Sequence, residues 1–128
     1  MQAVPENEVA YHTGSSQTDP ASGKYYTDEA RAMFGHYATE TNSPNNCTIG
    51  IELCPINAAG DFSRRTIAAA VELVADILRR HGMNENRITT HKKIVGWKNC
   101  PKLWTEHPEK LAEFREMVKK KMEEKKNG

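Results

Sequence analysis

The stretch SRRTIAAAVELVADILRRHG, Ser63 to Gly82, restricts the fold more than any other part of this chain. Ile67, Ala70, Val71, Val74, Ile77 and Leu78 recur at helical spacing on one face. Ser63 fits an N-cap, Arg79, Arg80 and His81 complement the dipole of the last turn, and Gly82 fits the position just beyond it. Such a helix, expected over 63–81, draws most of its stability from the surface its apolar stripe covers. The expected surface is a sheet.

Two segments offer strands. In NNCTIGIELC, Ile49, Ile51 and Leu53 alternate with Thr48, Gly50, Glu52 and Cys54, which predicts a core strand over 48–54. NENRITTH predicts a second, short strand ending at His91, inside a strand-and-loop region spanning 88–104. Gly96 and Pro101 exclude a long regular element from KKIVGWKNCPKLW. A last helix, expected over 107–125, begins near Pro108 and carries Leu111, Phe114, Met117 and Val118 on its apolar side. Upstream, TDEARAMFGHY predicts a short helix capped by Thr27 or Asp28 and ending near Gly35, between two turn-rich loops. The strand–helix–strand–helix order predicts one α/β domain over 1–128, a mixed β-sheet covered by amphipathic helices.

Composition narrows the partners. The 128 residues suffice for one domain with a modest core. With 18 Lys+Arg against 17 Asp+Glu, the net charge of +1 gives no electrostatic reason to expect nucleic acid or an anionic membrane as partner. The basic KKKMEEKK reads as a solvated helix end. No apolar run approaches the roughly 20 residues of a membrane span, and MQAVPENEVAYH lacks a signal-peptide pattern, so synthesis is expected in the cytoplasm. Cys47, Cys54 and Cys100 are odd in number and irregularly spaced, which argues against a disulfide framework and leaves a thiol for packing or metal.

His91 and Cys100 are both zinc-ligand types, and Lys98 stands two residues before the cysteine. Their spacing alone is weak evidence. Glu52 lies on an apolar strand, either on a wet sheet face or in a cleft. His36, His81 and His107 read as surface or capping residues, and Cys47 and Cys54 as packing thiols. Trp104 reads as a core anchor; Trp97 is either another or a stacking surface beside the cleft.

Taken in order, VPENEVAYHTG, the N-x-x-I-G-I-E of residues 46–52, the amphipathic helix and ITTHKKIVGWKNCPKLW resemble the zinc-dependent type-2 N-acetylmuramoyl-L-alanine amidases. These peptidoglycan-cleaving enzymes, found as phage endolysins and bacterial autolysins, are related to the peptidoglycan recognition proteins. The resemblance implies Zn2+ as cofactor, with His91 and Cys100 as two of three ligands. It also implies Glu52 as the carboxylate that handles the water proton and Lys98 as the cation near the developing oxyanion. Residues 1–47 become a cleft-lining region, and Tyr11, His12, Asn46 and Trp97 substrate contacts. The family's first zinc-ligand histidine is expected upstream of the segment that opens this chain. His12 is then a stand-in ligand or a substrate contact, and a homo-oligomer or a complementing N-terminal segment becomes a possible partner. The implied substrate is bacterial peptidoglycan, cut between N-acetylmuramic acid and L-alanine after release to the cell wall. A non-catalytic muropeptide-binding fragment is the rival expectation, and a small zinc-stabilised interaction module the distant one.

Overall fold

Local capping chemistry accounts for most of the helix boundaries. A computed structural model describes residues 18–39, 44 and 47–127, the side chains of 125–127 excepted. Its α-helices are α1 (Asp28–Phe34), α2 (Arg64–Arg80), α3 (His91–Val95), α4 (Lys102–Glu106) and α5 (Pro108–Asn127), with short 3-10 turns at Gly35–Tyr37 and Glu85–Arg87. Thr27 caps α1 by accepting from the Ala30 N–H at 3.1 Å, and Ser63 caps α2 by accepting from the Thr66 N–H at 3.0 Å. Gly82, at φ +65°, follows the last turn of α2, and Pro108 opens α5.

The chain divides into two compact units. One is drawn from Met1–Glu52 and Thr90–Asn99, the other from Leu53–Thr89 and Cys100–Gly128. In the second, α2, α4 and α5 share one core. Ala70, Val71, Ala75 and Leu78 of α2 meet Leu103 and Trp104 of α4 and Leu111, Phe114 and Val118 of α5. The small Ala70 and Ala75 side chains permit close approach of α5, and Ala75 and Val118 are entirely buried. The Trp104 ring lies 4.9 Å from Phe114 and 5.9 Å, edge-on, from Phe62. Arg115 of α5 donates from Nε to the Ile88 carbonyl at 3.2 Å, tying the helix to the segment after the second 3-10 turn. Gly60, at φ +88°, lets the chain pass beside α4: a Cβ there would stand 3.2 Å from Lys102 Cβ.

The first unit has a smaller core of Tyr26, Ala30, Ala38, Ile94 and Val95, with Tyr25, Phe34 and Trp97 against it. Thr27 joins its two helices. Its backbone N–H donates to the Ile94 carbonyl at 2.9 Å, and its hydroxyl donates to the Lys93 carbonyl while capping α1. Thr27→Val keeps the backbone bond but removes the cap and leaves the Lys93 carbonyl without that donor. The expected loss is about 2 kcal/mol, one part for the cap and one for the carbonyl. Hydrogen exchange checks it: the Ala30 amide, which donates to the Thr27 hydroxyl, should lose protection, and an unchanged rate would refute the role.

The expected mixed β-sheet is not present. Among the described residues no strand forms, and the architecture is helical. Alternation over 48–54 supplies a face, but among the described residues no backbone ladder pairs with it, and Ile49 and Ile51 stay 38% and 39% exposed. The second expected strand fails for a local reason. Thr90 accepts from the Lys93 N–H at 3.2 Å, and Gly96 at φ +86°, ψ −28° terminates the turn, so His91 begins a helix instead of closing a strand. Among the described residues no helix is long and apolar enough to cross a membrane.

Candidate functional site

His91, Lys98 and Glu52 belong to the first unit, and Cys100 to the second. Tyr11, His12 and Asn46 lie outside the described residues.

His91 is the first residue of α3 and half-buried. Thr90 caps the start of that helix. At the other end the Gly96 N–H donates to the Lys92 carbonyl at 2.8 Å, and the left-handed glycine redirects the chain into Trp97 and Lys98. Any other residue at 96 would be strained by its φ, and its Cβ would come within 2.6 Å of Asp19 Oδ2 and 3.2 Å of Thr27 Cγ2.

Three lysines surround this helix, in three different states. The Lys92 ammonium donates to the Gly96 carbonyl, and Lys93 Nζ lies 3.6 Å from Glu29 Oε1. Lys98 is exposed, its Nζ 5.0 Å from the centroid of the Trp97 indole. Among the described residues it has no carboxylate or carbonyl partner. Trp97 is half-buried against the small core, and its Nε1 is buried without an acceptor among the described residues.

Glu52 is exposed on non-helical chain, and neither it nor Lys98 has an ion-pair partner among the described residues. Cys100 is exposed immediately before α4, joined to Pro101 by a cis peptide bond. Cys54 is exposed as well. Cys47 is exposed as a residue, yet burial of its sulfur pushes the thiol above its ordinary range, which disfavours the thiolate a metal requires.

A catalytic zinc ordinarily takes three protein ligands and keeps a fourth position open. Among the described residues no group of three His, Cys, Asp or Glu side chains is arranged to hold a metal. The described residues do not, on their own, fit a catalytic zinc. The Thr90 cap and the differing states of Lys92, Lys93 and Lys98 are not among the sequence expectations. The cap was legible in TTHKKIVG, a threonine and a glycine bracketing one helical turn.

Residues 1–103 match the N-acetylmuramoyl-L-alanine amidase family, Amidase_2, and the chain belongs to that family. The family is in general zinc-dependent. The chain is 30% identical over 115 residues to N-acetylmuramoyl-L-alanine amidase CwlL of Bacillus licheniformis, covering 90% of this chain and 27% of that protein. It is 30% identical over 120 residues to N-acetylmuramoyl-L-alanine amidase BlyA of Bacillus subtilis strain 168, covering 93% and 30%. For N-acetylmuramoyl-L-alanine amidase XlyB of the same strain the identity is 29% over 108 residues, covering 77% and 33%. The chain thus spans about a third or less of these relatives' lengths. No solved structure matches it significantly.

Proposed function

We propose that this chain works in peptidoglycan hydrolysis, cleaving the amide between N-acetylmuramic acid and L-alanine at the cell wall. The observation that carries the reading is the family match over residues 1–103. The similarity to proteins named as amidases of that specificity supports it.

In this reading His91 and Cys100 are the donors the chain offers to Zn2+. Glu52 takes the proton of the attacking water and returns it to the leaving amine of L-alanine. Its exposure leaves the carboxylate open to substrate and solvent. Lys98 faces the oxygen on which negative charge develops as the amide carbon becomes tetrahedral. Lys98 suits that task better than Lys92 or Lys93, whose ammonium groups already have oxygen partners. Tyr11, His12, Asn46 and Trp97 contact the muropeptide.

The test uses the purified chain with zinc and insoluble peptidoglycan. Hydrolysis is expected to release new α-amino groups on L-alanine, identified by amine labelling and mass spectrometry of the freed stem peptides. Sedimentation with the wall and no new amino groups would favour a muropeptide-binding role without turnover. Neither binding nor release would overturn the proposal.

A further inference from the structure

Trp97 and Lys98 are adjacent in sequence, yet their environments differ sharply. The indole is seated against the core of Tyr26, Ala30, Ala38, Ile94 and Val95, so packing restrains the ring. The lysine is exposed and lies over that ring, its Nζ 5.0 Å from the centroid. An exposed lysine ordinarily samples many rotamers, and holding the end of its stem in one place costs side-chain entropy. The negative face of an indole offsets part of that cost without neutralising the charge. A carboxylate would hold the ammonium more firmly but spend its charge on a permanent partner, as Glu29 does for Lys93.

We propose that Trp97 is a positioning residue for Lys98: its ring parks the ammonium, which has no oxygen partner among the described residues, so that it can turn to a substrate oxygen. The inference rests on the catalytic role given to Lys98 above. It adds to the muropeptide contact of Trp97 an action through Lys98. Gly96 supports the arrangement by directing the chain from α3 into both residues.

Two measurements on the full chain test it. In NMR spectra the Lys98 ε-methylene should resonate upfield of the other lysines through the indole ring current. Trp97→Phe, which keeps a π face, should retain part of that displacement; Trp97→Leu should abolish it. In the hydrolysis assay Trp97→Leu should lower kcat about two- to fivefold, the rate equivalent of one exposed cation–π contact. Trp97→Phe should restore part of the loss, and Trp97→Leu should have no further effect in a Lys98→Ala background. An undisplaced ε-methylene in the wild-type chain, or kinetic losses that multiply in the double variant, would overturn the proposal. If the wild-type chain shows no turnover, the hydrolase reading falls, and the NMR result alone decides whether the pair exists.

Discussion

Replacing Trp104 by alanine should destabilise the second unit by about 3–5 kcal/mol, the range for emptying a large aromatic site in a packed core. Trp104 is 9% exposed and bridges α4 to Phe114 of α5 and to Phe62, with ring centroids 4.9 and 5.9 Å away. Its removal breaks both aromatic contacts together. The site also borders an open cavity of about 160 Å³ lined by Phe62, Leu103, Lys110, Glu113 and Phe114. Denaturant titration followed by Trp97 fluorescence would report on the first unit, so circular dichroism of the long α2 and α5 is the proper signal. Trp104→Phe should recover most of the loss by keeping an aromatic partner for Phe114. A midpoint for Trp104→Ala within error of the parent would refute the assignment of this side chain as the centre of the core.

The second large effect concerns metal. On the proposal that both residues donate to Zn2+, His91→Ala and Cys100→Ser should each lower zinc affinity by at least about 100-fold, since even residues that only support a metal ligand often account for 10–100-fold. Circular dichroism must accompany these variants, because His91 opens α3 and Cys100 immediately precedes α4. Thr90 supplies the cap of α3, and alanine is the most favourable helix residue at position 91. Cys100 is exposed, and serine nearly preserves its shape. Equilibrium dialysis with metal analysis, paired with circular dichroism, separates lost ligation from lost structure. Full zinc binding by the double variant would remove both residues from the metal site.

Helices α1, α2 and α5 were legible in the sequence because their signals are local, whereas α3 and α4 fall where a strand end and a loop were expected. Thr27, Ser63, Gly82 and Pro108 act within one turn of their own helix, and each stands where the sequence implied. The apolar stripes of α2 and α5 were also readable, with Leu111, Phe114 and Val118 buried while Met117 stays 41% exposed. The strands were misread because alternation defines a face, whereas a strand exists only when another backbone pairs with it. At Thr90 to Gly96 the local cap and stop prevailed over the β-branched run Ile88–Thr90. For the candidate site, residue chemistry could be read but convergence could not. His91, Lys98 and Glu52 fall in one unit and Cys100 in the other, and such grouping depends on contacts between distant segments. The state of Lys93 depends on the same kind of contact, since its partner Glu29 is far from it along the chain.

The Thr27 clasp also has a consequence for biosynthesis. Its hydroxyl reaches a carbonyl 66 residues further along the chain. At translation speeds of about 5–20 residues per second, α1 would leave the ribosome about 3–13 s before that acceptor exists. During this interval the nascent helix has only its own seven residues to sustain it, too few for stability in water. Chaperone dependence should therefore be concentrated in that early window.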